Sequence, residues 1–375
     1  LLGKAPPQAI RRIFFTKKIN FLFLFKRLIY IFALLANDVV KKSSIKDVAK
    51  LAGVSIASVS YVLNNTPNKS IKEETVARIL EAAKELNYTP NKIARSLKTQ
   101  KSYTIGLIVA DIANPYFSQL ARFIEDEAEK QGYTLIIGSS DESDAKFARL
   151  LTLFRDRMVD GLIIAPVEGD KTAVELAALK NIPFVLIDRT VPGFDAPAVL
   201  INNREISRKT AQYLIDSGKK NIALVSYNTG ITSLSERMEG YIDALNANGI
   251  VVNRSFILSI DEKRMDDDMD ERLTSLFASA DKPDALFFIT NKLSVSGLRW
   301  LIENNIKVPA DVAVVAFDQT DAYKLFPVPV TFIKQPLPAI ASAVMGLLLE
   351  RIDDTDAPTK VRELEARLKI KASSM

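Results

Sequence analysis

From Tyr103 onward the chain alternates short apolar runs with amphipathic stretches, and this alternation limits the possible fold more than any other feature. Thr104–Ala110, Tyr133–Gly138, Gly161–Pro166 and Phe184–Ile187 have the length and texture of strands, and Asn221–Ser226, Ala285–Thr290 and Val312–Phe317 repeat the pattern. Helical spacing falls between them, on Phe117–Lys130, Lys146–Met158, Glu205–Ser217, Ser235–Asn248, Leu293–Asn304 and Leu337–Ile352. Strands that alternate with helices build parallel sheets covered on both faces. Two successive sets predict an α/β body over residues 103–375, made of two doubly wound parallel-sheet subdomains. Ligands of such sheets sit beyond the carboxyl ends of the strands.

Polar residues gather at those ends. Asp111 to Phe117 follows the first strand and brings Asn114, Tyr116 and Phe117, while Asp188-Arg189 follows Phe184–Ile187. In the second set Arg237 opens the helix after Asn221–Ser226, Asn291 follows Ala285–Thr290, Asp318 follows Val312–Phe317, and Gln335 follows Thr331–Lys334. Planar amide, carboxylate and guanidinium groups hydrogen bond hydroxyls in pairs, and an aromatic ring packs on the apolar face of a sugar. Each residue alone reads equally as a strand-end cap or a surface ion pair. Together they suit a polyhydroxylated ligand.

Ahead of the body, residues 43–88 read as a small all-α unit. Ile45, Val48, Ala49 and Ala52 share one helical face, Gly53-Val54-Ser55 breaks the helix, and Val59, Val62 and Leu63 turn inward from a second. Gly53 allows a sharp turn, Ser55 can cap the second helix, and Val54 and Val59 lock the pair. Ser55, Ile56, Ala57, Ser60, Tyr61 and Asn64 are left outward, a small and polar face suited to a DNA groove. A third helix, from Ile71 to Leu86, closes the unit, with Val76, Ile79, Leu80 and Ala83 on its apolar stripe. Thr89-Pro90 can open a short helix over 91–97, within a linker of residues 89–102. The plain alternatives are a helical hairpin of a bundle and a linker with one helical turn.

Charge separates head from body. Residues 41–102 carry twelve Lys and Arg against five acids, whereas residues 103–375 carry 31 against 39. A basic module on an acidic body is the pattern of a nucleic-acid-binding head. The 375 residues contain no Cys and no His, which removes thiolate nucleophiles, the commonest metal ligand and the commonest general base. No phosphate-binding loop, zinc spacing or nucleophile elbow occurs, so no catalytic residue, metal site or cofactor is expected.

The first forty residues carry seven Lys and Arg and one acid. Their apolar run from Ile19 to Ala36 approaches the length of a membrane span, but Lys26 and Arg27 sit at its middle, each costing about 2.5–3.5 kcal/mol there. We expect residues 1–42 to be an extension, either absent from the native protein or without order, with translation starting at Val39 or Val40. A membrane-tethered regulator is the rival reading.

Asp47-Val48-Ala49, Ala52-Gly53-Val54-Ser55, Val59-Ser60 and Val62-Leu63-Asn64 resemble the amino-terminal signature of the lac repressor/Gal repressor (LacI/GalR) family of bacterial transcription regulators. Asn114-Pro115-Tyr116-Phe117, Asp188-Arg189, Arg237, Asn291, Asp318 and Gln335 in turn resemble the sugar-contacting positions of periplasmic ribose-binding proteins, whose fold the family shares. The resemblance spans residues 43 to 372. It implies a cytoplasmic repressor and not an enzyme, acting as a homodimer on double-stranded operator DNA under a small sugar effector, a pentose or related hexose. It also implies that 91–97 is a hinge helix whose Leu97 wedges into the minor groove. The alternative is a periplasmic-type sugar-binding transport receptor. Ser58, Tyr61, Asn202-Asn203 and Ser207 depart from the common family pattern.

Overall fold

The computed structural model describes residues 43–64, 71–89, 101–169, 171–179 and 182–375. The chain falls into two units, a helical head within the first 95 residues and a larger α/β body after them. Among the described residues no helix is long and apolar enough to cross a membrane. The expected extension over 1–42 and the short helix over 91–97 lie outside the described residues.

Among the described residues the head has three helices: α1 (Ile45–Ala52), α2 (Ile56–Leu63) and α3 (Glu73–Glu85). A capping box starts α1, in which the Ser44 side chain accepts from the Asp47 amide and the Ser44 amide donates to Asp47 at 2.8 Å. Gly53 ends the helix in the left-handed region at φ 65°, a conformation that costs a residue with a Cβ roughly 1–2 kcal/mol. Ser55 then caps α2 by accepting from the Ser58 amide at 3.1 Å. Val48, Val59 and Ile79 are fully buried among Ala49, Ala52, Ala82 and Ala83. One detail of the expected stripe fails, because Leu80 is half exposed and Ala82 takes the inward position.

The body holds two six-stranded sheets of matching order. The first is built from β1 (Thr104–Val109), β2 (Thr134–Ser139), β3 (Gly161–Ile164), β4 (Phe184–Ile187), β5 (Ala198–Ile201) and β11 (Val361–Leu364), arranged β11-β5-β4-β3-β1-β2. The second comprises β6 (Ile222–Tyr227), β7 (Ile257–Ile260), β8 (Ala285–Phe288), β9 (Ala313–Phe317), β10 (Thr331–Lys334) and β12 (Arg367–Lys369), arranged β12-β10-β9-β8-β6-β7. Only β12 runs antiparallel to its neighbour. Around the sheets lie α4 (Pro115–Lys130), α5 (Asp144–Asp156), α6 (Thr172–Ala177), α7 (Asn203–Asp216), α8 (Thr232–Ala247), α9 (Met265–Ala278), α10 (Asn291–Glu303) and α11 (Leu337–Asp353).

The chain passes between the subdomains three times: at Asn202 after β5, at Gln335-Pro336 after β10, and at Glu365-Ala366 after β11. Asn202 ties the first passage to the third, since its Oδ1 accepts from the Ala366 amide at 2.9 Å and its own amide donates to Leu364 O at 3.2 Å. Four strands and two helices escape the sequence reading. β5, β7, β11 and β12 have three or four residues each, and β11 and β12 are exposed edge strands bearing Arg, Glu and Lys, with little apolar signal. Helix α6 is a single short stretch, and in α9 the acidic start Met265-Asp266-Asp267-Asp268 dilutes the buried stripe of Met269, Leu273 and Leu276.

Helices α7 and α8 lie in close contact at Gly240, where a Cβ would meet the carbonyl oxygen of Arg204 at 2.0 Å. Gly346 in α11 has open space at the same test. Gly240→Ala should therefore destabilise the body by about 1–3 kcal/mol through overpacking, whereas Gly346→Ala should leave it unchanged or gain up to about 1 kcal/mol. Thermal unfolding of the two variants checks this, and equal melting temperatures would contradict the packing.

Candidate functional site: a cleft between the subdomains

Arg237 occupies the centre of the cleft. It projects from the first turns of α8 and is 3% exposed, so its guanidinium has lost almost all its water. Three neighbours replace that water: the Phe317 ring lies 3.6 Å below the guanidinium carbon, Nε donates to Asn203 Oδ1 at 2.8 Å, and Nη1 donates to Ile289 O at 2.8 Å. A desolvated stack of this kind contributes about 2 kcal/mol. Burial pulls the guanidinium below its usual pKa, with Asp318 and Asp188 acting in opposition.

Each sheet contributes an aspartate at the end of its corresponding strand. Asp188 follows β4 with φ 69° and Asp318 follows β9 with φ 65°, both left-handed. Such backbone costs about 1–3 kcal/mol and persists only where its surroundings enforce it. Asp188 accepts from Arg189 Nε at 3.1 Å, and Arg189 Nη1 reaches Glu142 at 2.9 and 3.2 Å. Burial lowers the Arg189 pKa, but Asp188 and Glu142 outweigh it and the net shift is upward. Asp318 accepts from Gln335 Nε2 at 2.6 Å. Burial pushes its carboxyl up to about 6 against the pull of Arg237 and Gln335.

The opposite wall comes from the start of α4. Asn114 caps that helix by accepting from the Tyr116 amide at 3.0 Å, and the same Oδ1 accepts from Asn291 Nδ2 of the second subdomain at 2.8 Å. Tyr116 and Phe117 meet edge to face with centroids 4.8 Å apart, both buried. Burial and the nearby Asp188 raise the Tyr116 hydroxyl well above its ordinary pKa. Asn291 Oδ1 is buried and has no hydrogen-bond partner among the described residues. A buried acceptor left open costs about 1–3 kcal/mol unless something outside the chain donates to it.

Direct contacts hold the two lips together. Lys292 Nζ reaches Asp111 Oδ2 at 2.7 Å, Glu168 accepts from the Thr229 hydroxyl and from the Gly230 amide at 2.7 Å, and the Thr190 amide donates to Thr232 Oγ1 at 3.4 Å.

Asn114, Tyr116, Phe117, Asp188, Arg189, Arg237 and Asp318 line one cavity of about 70 Å³. Asn291 joins them through Asn114. Gln335 faces instead an adjoining cavity of about 160 Å³, shared with Tyr116 and Asp318. Sequence reasoning passed over Asn203, Glu142, Glu262 and Lys292. Asn203 had a signal, the unusual Asn202-Asn203 pair, and Lys292 adjoins a chosen residue. Glu262 follows β7, a strand not foreseen. In the head, Ile56, Ala57 and Tyr61 of α2 are exposed with Ser55, whereas Ser60 and Asn64 are half-buried and joined by a bond from Asn64 Nδ2 to Ser60 O at 2.7 Å. Leu97 lies outside the described residues.

A helix-turn-helix unit joined to a two-lobed, sheet-ended cleft defines a ligand-sensing regulator. Residues 44–91 match the bacterial regulatory proteins of the lacI family, and residues 102–374 match the periplasmic binding proteins and sugar binding domain of LacI family. The chain belongs to the LacI family and is a DNA-binding transcription regulator with a body of the sugar-binding type. It is 29% identical over 332 residues to the HTH-type transcriptional repressor PurR of Pasteurella multocida, covering 88% of this chain and 98% of the relative. A LacI family transcriptional regulator from Enterococcus faecium, solved with bound ribose, superposes with a TM-score of 0.61 at 27% identity over 72% of this chain and 98% of that one. The lac repressor dimer bound to operator and an anti-inducer shares the fold, with a TM-score of 0.79 at 23% identity over 89% and 100% of the two chains.

The raised Asp318 carboxyl has a consequence for ligand binding. Ionised, it offers acceptors to ligand hydroxyls; protonated, it loses one beside Arg237 and Asp188. Affinity should be level above about pH 7 and fall several-fold as pH drops through about 6, where the carboxyl takes up its proton. Calorimetric titration between about pH 8 and 5 checks the sign, and a level profile would contradict the role given to Asp318.

Proposed function

We propose that the protein is a cytoplasmic transcription repressor, not an enzyme, which binds a pseudopalindromic operator as a homodimer and responds to a small sugar, a pentose or a related hexose. One observation carries the sensing half: seven of the nine side chains expected to meet the ligand, drawn from both subdomains, line a single cavity around Arg237. Hydroxyls suit the open acceptor of Asn291 and the carboxylates of Asp188 and Asp318, and a ring face suits Tyr116 and Phe117. The ribose held by the Enterococcus faecium relative supports the ligand class.

In this reading Ser55, Ile56, Ala57, Ser60, Tyr61 and Asn64 meet the major groove, and residues 89–102, with the wedge Leu97, transmit the state of the body to the head. A sugar bridging both lobes stabilises closure, and it shifts the equilibrium only by its differential affinity for closed over open forms. The dimer seen for the lac repressor supports two-fold binding. A transport receptor has no use for the basic helix-turn-helix unit.

A thermal-shift panel of pentoses and hexoses should reveal a sugar that raises the melting temperature, since a ligand of the native state alone stabilises it. Arg237→Ala should abolish that shift and the sugar response of operator binding, while the unliganded variant binds operator within about threefold of the parent. An Arg237→Ala protein that still responds to the sugar would refute the assignment.

A further inference from the structure

The cleft contains more negative than positive side chains, and two of its three cations are paired with carboxylates. Lys292 is held by Asp111 at 2.7 Å with Glu262 at 3.9 Å, and Arg189 by Glu142 at 2.9 Å and Asp188 at 3.1 Å. Arg237 uses two of its five N–H donors, on an amide and a carbonyl, and has no carboxylate bonded to it, while Asp318 is bonded, among the described residues, only by the neutral amide of Gln335. Five carboxylates thus line the cavity against three cations, an excess of two. The amino ends of α4, α8 and α10 also face it, but Asn114 and Thr290 already cap the first and last of these, and each end carries only about half a positive charge.

A phosphate group fares no better nearby. An adjoining cavity of about 300 Å³, which shares Arg189 and Ile231, adds Glu168 and, among the described residues, no new cation. Lys334 borders the 160 Å³ cavity, but Tyr116 and Asp318 stand between it and the ring site. A sugar phosphate would place a charge of about −1.5 to −2 at neutral pH among these carboxylates, of which Asp318 is buried and Glu262 half exposed.

Building on the sugar reading above, we infer that the cleft is a charge filter: its effector is an unphosphorylated sugar, and the phosphate ester of the same sugar is rejected. The protein senses free sugar ahead of any kinase step, and the product of that step escapes detection. The test is calorimetric titration of the full-length protein with matched pairs: D-ribose and D-ribose 5-phosphate, D-glucose and D-glucose 6-phosphate, D-fructose and D-fructose 6-phosphate. For each sugar that binds, the ester should bind at least about 100-fold more weakly. In Glu262→Lys, which cancels the excess, the ratio of ester to free-sugar affinity should rise at least about tenfold. An ester that binds the parent as well as its sugar or better overturns the filter, as does an unchanged ratio in Glu262→Lys. Silence from all six compounds strikes instead at the sugar reading itself, and the filter falls with it.

Discussion

A guanidinium removed from water and given back only part of its hydrogen bonding is the constraint on which the cleft depends. Arg237 is supplied by α8, supported from beneath by Phe317 of β9, and oriented by Asn203 at the start of α7 and by Ile289 O beyond β8. Four separate elements of one subdomain are therefore committed to one side chain. Desolvation makes the charge costly, and it makes any ligand that bonds the guanidinium correspondingly favourable. The first subdomain brings Asp188 and Tyr116 to the same cavity, so the arginine lies where the two subdomains of the body meet.

The repeated order of the two sheets explains how this arrangement arises. Strands β4 and β9 occupy the same place in their sheets, and each ends in a left-handed aspartate at the cleft. Paired strain at equivalent positions points to a shared task, holding carboxylates toward a ligand at a backbone cost that a structural turn would avoid with glycine. The three passages between subdomains run beside this point. Gln335 belongs to one and bonds Asp318, while Asn202 pins the other two together. The cleft lining and the passages between subdomains are thus bonded to each other, which is the physical requirement for closure of the cleft to be felt outside it.

Much of this was legible in the sequence because buried parallel strands are nearly pure apolar runs. The central strands β1, β3, β4, β6, β8 and β9 were read within a residue or two, and the rule that ligands sit at their carboxyl ends selected Asn114, Asp188, Arg237 and Asp318. The edge strands β11 and β12 failed for the complementary reason: β11 reads Val-Arg-Glu-Leu, a mostly solvated pattern with no period to detect. Side chains that act on the site from neighbouring elements were also hidden. Asn203 orients Arg237 from 34 positions away, and Glu142 holds Arg189 across 47, distances that no local spacing reveals. Gln335 was chosen for its strand end, yet its side chain supports Asp318 from the adjoining cavity.

The central claim is that Arg237 and its aspartates form the ligand site. A crystal structure of the full-length protein with a sugar that stabilises it tests this most directly. The account predicts a ring between Tyr116, Phe117 and Arg237, with hydroxyls about 3 Å from the guanidinium, from Asp318 and from Asn291 Oδ1. Sugar bound elsewhere, with Asn291 Oδ1 still unpaired and Arg237 untouched, would contradict it.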